Sequence, residues 1–112
     1  MNDYEKFSKL LRYDPSTGQL YWRQAKMGRQ LWRPAGHADK TGYRRIMLDY
    51  KMYLAHRIIW LLVYGAWPKY FIDHIDGNPS NNKIENLRDV SHSENLQNSR
   101  RALWNRRRSN GV

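Results

Sequence analysis

The chain has 112 residues, enough for one compact domain, and 40% of them are apolar, including five Trp and eight Tyr, which excludes a chain too polar to build a core. Twenty Lys and Arg face ten Asp and Glu, a net charge of +10 that repels basic partners and draws in polyanions, nucleic acid foremost. Cysteine is absent, which excludes disulfides and thiolate metal sites; the longest apolar run, 58–64, is too short for a bilayer, and the mixed-charge start MNDYEKFSKLL lacks a signal-peptide core, so an intracellular protein is expected.

In chain order, Tyr4, Phe7, Leu10 and Leu11 recur at helical spacing and predict a helix over 3–12, capped by Asn2 or Asp3. Asp14-Pro15-Ser16-Thr17-Gly18 is a turn, and Leu20-Tyr21-Trp22 suits a strand. Residues 23–39 are polar and rich in Arg, Lys and Gly, and predict an irregular arm. A hairpin follows, with strands over 43–48 and 52–54 joined through Asp49-Tyr50-Lys51. From Ala55 to Tyr64 the apolar residues cover nearly the whole helical circumference, which predicts a core helix. Gly65 stands at the cap position and Pro68 blocks continuation. His56 at the start of that helix reads as structural, and His37 and His92 as surface residues. Trp22, Trp32, Trp60 and Trp67 read as packing residues.

Residues 71–75 predict a short strand, 76–83 a turn-rich loop with one Gly, one Pro and three Asn, and 84–90 a second strand around Leu87. Ser91-His92-Ser93-Glu94 has the spacing of a capping box and opens a helix through Asn98, extending as far as Trp104. The tail from Arg100 to Arg108 holds five arginines, Arg100, Arg101, Arg106, Arg107 and Arg108, which suit a phosphate-contacting arm with Trp104 among them.

The chemistry concentrates around the second half. Asp73-His74 ends one strand, Asn86 begins the next, and Asn95 falls in the first turn of the following helix. A strand, loop, strand and helix in so short a span can fold back to bring the four side chains together. Phosphodiester cleavage needs a base near neutral pH, which His supplies, and a cation to stabilise phosphate charge and the departing oxygen. One carboxylate and one amide oxygen make a minimal site for Mg²⁺ or a similar hard ion that keeps several waters. A calcium loop of the EF-hand type beginning at Asp76 fails, because its sixth position is Asn81 rather than Gly and its twelfth Leu87 rather than Glu. Asp76 to Ser80 read as turn formers.

The ordered series His56-Arg57-Ile58-Ile59-Trp60, Gly65, Trp67-Pro68, Ile72-Asp73-His74-Ile75-Asp76-Gly77-Asn78, Asn82-Lys83-Ile84-Glu85-Asn86-Leu87-Arg88 and Asn95-Leu96-Gln97-Asn98 resembles the HNH endonucleases, in particular the phage and intron-encoded homing endonucleases with a ββα-metal site. The resemblance spans residues 18–100, with Gly36 and Gly42-Tyr43-Arg44 matching the N-terminal sheet. It implies an α+β fold: a small N-terminal antiparallel sheet and core helix over 1–70, a ββα-metal motif over 71–100, and a basic tail over 101–112. It implies that Asp73 and Asn95 bind one divalent ion, Mg²⁺ or Mn²⁺, that His74 is the general base and that Asn86 orients it. Arg88, Asn98 and the five tail arginines are the expected contacts to double-stranded DNA. The expected activity is nicking of one strand by a monomer, in the cytoplasm of a bacterial host if the protein is phage-encoded. Such nucleases often continue into a further DNA-reading module, and Asn110-Gly111-Val112 resembles the opening of one, so only short sequence preference is expected. The competing expectation is a DNA-binding module that keeps the scaffold without the catalysis.

Overall fold

A computed structural model describes residues 2–26 and 29–91. Helix α1 (Asp3–Leu10) is capped by the Asn2 side chain, which accepts from the Glu5 amide at 2.8 Å. It ends two residues earlier than its periodicity suggests. Leu11 turns extended and opens β1 (Leu11–Asp14), which pairs antiparallel with β2 (Gln19–Trp22), Leu11 opposite Trp22. Leu10-Leu11 satisfies both a helix stripe and a strand, and pairing with β2 decides in favour of the strand, burying Leu11 completely. The Asp14 carboxylate accepts from the Ser16 amide and hydroxyl, and Gly18, at φ 75°, completes the turn.

The arm at 23–39 is irregular except for β3 (His37–Ala38), which adds to the edge of β4 (Arg44–Leu48); β4 in turn pairs with β5 (Lys51–Leu54). The β4–β5 connection is the two-residue turn Asp49-Tyr50, both with positive φ, the geometry that matches the twist of a hairpin. Helix α2 (Ala55–Tyr64) ends at Gly65, which adopts φ 80° and donates its amide to the Leu61 carbonyl. Ala55, Ile58, Ile59 and Leu61 are buried and meet Phe7, Leu11, Leu20, Ile46 and Leu48 in one core. The burial is one-sided, since Val63 and Tyr64 face solvent, and so does Trp32, which is 72% exposed rather than packed. Trp22 and Trp67 do pack, the latter edge-on to Phe7 and stacked on Tyr53.

The chain then forms an antiparallel ribbon of β6 (Phe71–His74) and β7 (Leu87–Val90), separated by a loop and the 3₁₀ turn Ile84–Asn86. Asp89 staples the approach to β6: its two carboxylate oxygens accept from the Lys69 and Tyr70 amides at 2.6 and 2.8 Å. The architecture is α+β, with helices against small antiparallel sheets. No helix among the described residues is long and apolar enough to cross a membrane. The helix expected from Ser91, and with it Asn95, Asn98, Trp104 and Arg100, Arg101, Arg106, Arg107 and Arg108, lies outside the described residues.

Candidate active site

The β6–β7 ribbon puts Asp73 opposite Arg88 and His74 opposite Leu87. Strand alternation gives these two neighbours different surroundings. Asp73 meets the guanidinium of Arg88, whose Nη2 donates to Oδ2 at 2.6 Å, and both side chains retain solvent contact. His74 is buried, at 7% exposure, and its Nε2 lies 2.8 Å from the side-chain oxygen of Asn82, itself 4% exposed. With Nε2–H donating to Asn82, the imidazole lone pair resides on Nδ1, which has no hydrogen-bond partner among the described residues. Two further rings fix the plane of His74: His56 from α2, with centroids 5.2 Å apart, and Tyr43, at 5.9 Å. His56 and Tyr43 also touch each other edge-on.

The asparagine that holds His74 is therefore Asn82. The expected orienting residue, Asn86, is buried but does not reach the imidazole. Its side-chain oxygen accepts from the Asp76 amide at 3.0 Å, and its nitrogen donates to the Asp76 carboxylate at 2.9 Å and to the Asn81 carbonyl at 2.8 Å. Its amide is thus fully used in closing the loop between the strands. That loop has Asp76 as its hub: the carboxylate also accepts from the Asn78 amide and the Asn81 side chain. These donors, Asn81 first, then Asn78 and Asn86, hold the Asp76 carboxyl below the usual aspartate range. Residues 76–80 are turn formers, as expected from sequence.

The N-terminal hairpin and central sheet clamp the same loop. Tyr13 donates its hydroxyl to the Asn82 carbonyl at 2.9 Å, and Ser80 donates to the Gly42 carbonyl at 3.0 Å. Gly18 packs so closely that a Cβ there would lie 2.6 Å from the Lys83 amide nitrogen and 2.8 Å from the Asn82 carbonyl carbon. Residues far apart in sequence thereby set the position of Asn82, and through it the ring of His74. The sequence alone gives Asn82 and Tyr43 no separate role. The signal that could have found Asn82 is weak: one Asn among three in a loop that reads as turn-forming throughout.

His56, read from sequence as structural, is 5% exposed, and its Nδ1 is buried without a partner among the described residues. Burial lowers its pKa from 6.5 to about 4, helped by the proximity of His74 and Arg57. It is a neutral imidazole beneath His74 at neutral pH.

Residues 53–97 match the family model described as HNH endonuclease, a stretch that contains α2, the ribbon and its loop. Over that segment the chain is similar to the HNH endonucleases. Over 50 residues the chain is 46% identical to Protein 3.8 of Escherichia phage T7, covering 44% of this chain and 41% of that protein. A solved structure of DNA binding and cleavage by the HNH homing endonuclease I-HmuI superposes with a TM-score of 0.65 at 24% identity, over 90% of this chain and 57% of that one. The chain thus spans about half the length of the proteins it matches. The I-HmuI likeness extends beyond the HNH segment to the N-terminal sheets, which places the clamp around Asn82 within a shared fold.

The donor set of this site is spare. Among the described residues no cluster of three or more His, Asp or Glu is placed to hold a metal ion. Asp73 Oδ1, free of hydrogen bonds among the described residues, is one hard oxygen at the solvent edge of the ribbon. That chemistry fits a hard divalent cation that takes one or two protein oxygens and keeps its waters.

Proposed function

We propose that the chain is a divalent-metal-dependent DNA endonuclease that hydrolyses phosphodiester bonds and nicks one strand of a duplex. The observation that carries this reading is the anchored His74 beside Asp73 within the HNH segment: one ring nitrogen tied to Asn82 and the other unpartnered among the described residues. An imidazole held in one tautomer, with its lone pair on Nδ1, can take a proton from water near neutral pH. His74 is then the general base, and Asn82, with Tyr43 and His56, positions it. Asn86 serves the base at one remove, by closing the loop that carries Asn82.

Asp73, together with Asn95, would hold one Mg²⁺ or Mn²⁺ ion, which when bound stabilises negative charge on the phosphate and the departing oxygen. The net charge of +10 concentrates duplex DNA at the surface, with Arg88, Asn98 and the arginines at 100, 101, 106, 107 and 108 as phosphate contacts. We take residues 1–100 as the nuclease unit and 101–112 as a basic arm, acting as a monomer on DNA inside the host cell.

Supercoiled plasmid incubated with the protein and Mg²⁺ or Mn²⁺ is expected to give relaxed circles, and none in EDTA. His74→Ala should lower the rate by roughly 10²–10⁴-fold. A second reading, a DNA-binding module without catalysis, is favoured by one observation, the neutralisation of Asp73 by Arg88. Binding that persists in EDTA with no nicking in any divalent metal would establish that second reading and refute the first.

A further inference from the structure

We propose that Arg88 is shared between two anions: in the metal-free protein it neutralises Asp73, and when a divalent cation takes that carboxylate the guanidinium passes to a DNA phosphate, so metal and DNA bind cooperatively through this side chain. The inference rests on the reading of Asp73 as a metal ligand.

Three observations carry it. The Arg88–Asp73 contact is a cross-strand pair held by one short charge-assisted bond, Nη2 to Oδ2 at 2.6 Å. It is not a fully satisfied pairing, because among the described residues Arg88 Nε is buried without a hydrogen-bond partner. The guanidinium is therefore committed to this pose by Asp73 more than by its surroundings. The Arg88 side chain is also 40% exposed, against 20% for Asp73, so the cationic end has an open side on which to move.

The neighbouring carboxylates decide where it goes. A divalent ion on Asp73 would stand a few ångströms from the guanidinium charge and repel it, weakening the bond that fixes Arg88. Asp76 is already occupied by Asn78, Asn81 and Asn86, and both oxygens of Asp89 accept from Lys69 and Tyr70. Apart from the exposed Glu85, the ribbon and its loop hold no other acid. The anion left for a displaced Arg88 is the backbone phosphate of a bound duplex, for which the planar guanidinium is well suited. Thermodynamic linkage then requires that each ligand tighten the other.

The test uses the full chain with His74→Ala as the parent, so that DNA is not cut. Mn²⁺ binding without DNA is followed by electron paramagnetic resonance of the free ion. Duplex affinity is followed by fluorescence anisotropy with and without Mn²⁺. Adding Arg88→Met, which keeps the apolar stem, should tighten Mn²⁺ binding roughly 5- to 100-fold. It should also shrink the factor by which Mn²⁺ tightens DNA binding. Arg88→Gln should behave alike, which guards against a folding defect peculiar to one substitution. Unchanged or weaker Mn²⁺ binding in both variants overturns the inference. Asp73→Asn separates the two levels: if it binds Mn²⁺ as the parent does, the metal-site reading itself fails. If it loses Mn²⁺ while the Arg88 variants match the parent, only the role given to Arg88 fails.

Discussion

His56 offers a sharp test of the site's interior, because its cost is confined to one pH window. The imidazole is 5% exposed, its Nδ1 has no partner among the described residues, and burial next to His74 and Arg57 brings its pKa from 6.5 to about 4. In the unfolded chain the ring takes up a proton as pH falls through about 6.5, while in the folded protein it stays neutral down to about 4. Stability is therefore intact above pH 6.5 and declines between pH 6.5 and 4, at a slope approaching about 1.4 kcal/mol per pH unit, for a loss on the order of 3 kcal/mol. The carboxylates held below their usual range (Asp14, Asp39, Asp49 and Asp76) lose their contribution mainly below this window, since their unfolded pKa is 3.8. Urea unfolding at a series of pH values from 7.5 to 4, compared between wild type and His56→Phe, isolates the effect. The variant keeps a ring against Tyr43 and His74 but has nothing to protonate. The stability of wild type minus that of the variant should therefore fall by about 3 kcal/mol between pH 7 and 4. Curves that stay parallel from pH 7 to 4.5 would refute the assignment of His56 as a buried neutral imidazole.

Asn82→Ala leaves the buried His74 Nε2 without its acceptor and should cost about 1–3 kcal/mol in chemical denaturation. It should also slow plasmid nicking by at least tenfold, and a rate equal to wild type would remove Asn82 from the positioning role. Asn86→Asp replaces the nitrogen that donates to Asp76 with a second carboxylate beside it; we expect a loss of about 1–3 kcal/mol at pH 7 that diminishes as pH falls toward 4 and the crowded pair takes up a proton. Gly18→Ala and Gly65→Ala make a matched pair. Both glycines have φ near 80°, so each alanine carries about 1–2 kcal/mol of backbone strain, but only at Gly18 would the new Cβ strike backbone, the Lys83 amide and Asn82 carbonyl. Gly18→Ala should be clearly the more destabilising in thermal unfolding and should slow nicking, whereas Gly65→Ala should leave nicking unchanged.

Much of the fold is legible in the sequence because its signals are local. Helix α2 and its Gly65 cap follow from apolar periodicity and one glycine, and the β4–β5 hairpin from two apolar runs around a polar break. What the sequence hides is decided by pairing between distant segments. Leu11 fits the stripe of α1 equally well, and only the register with Trp22 assigns it to β1. His37-Ala38 has no strand signal of its own and is extended because the edge of β4 is open to it. Trp32 looks like a packing residue by type, yet the irregular arm leaves it in solvent.

The two asparagines show the same division at the level of the site. Residue type and order single out Asn86, and the structure does give it an important place, but as the fastener of a loop. The residue that meets His74 is Asn82, which no spacing rule separates from its neighbours Asn78 and Asn81. Its position depends on Tyr13 reaching its carbonyl from β1 and on Gly18 permitting close approach from the β1–β2 turn. The N-terminal hairpin therefore has a task at the site even though it supplies none of its reactive groups. A ribbon with Asp73, His74, Asn82 and Asn86 in place but without that hairpin would keep the motif and lose the constraint on His74. The structural likeness, which runs across 90% of the chain, likewise extends beyond residues 53–97.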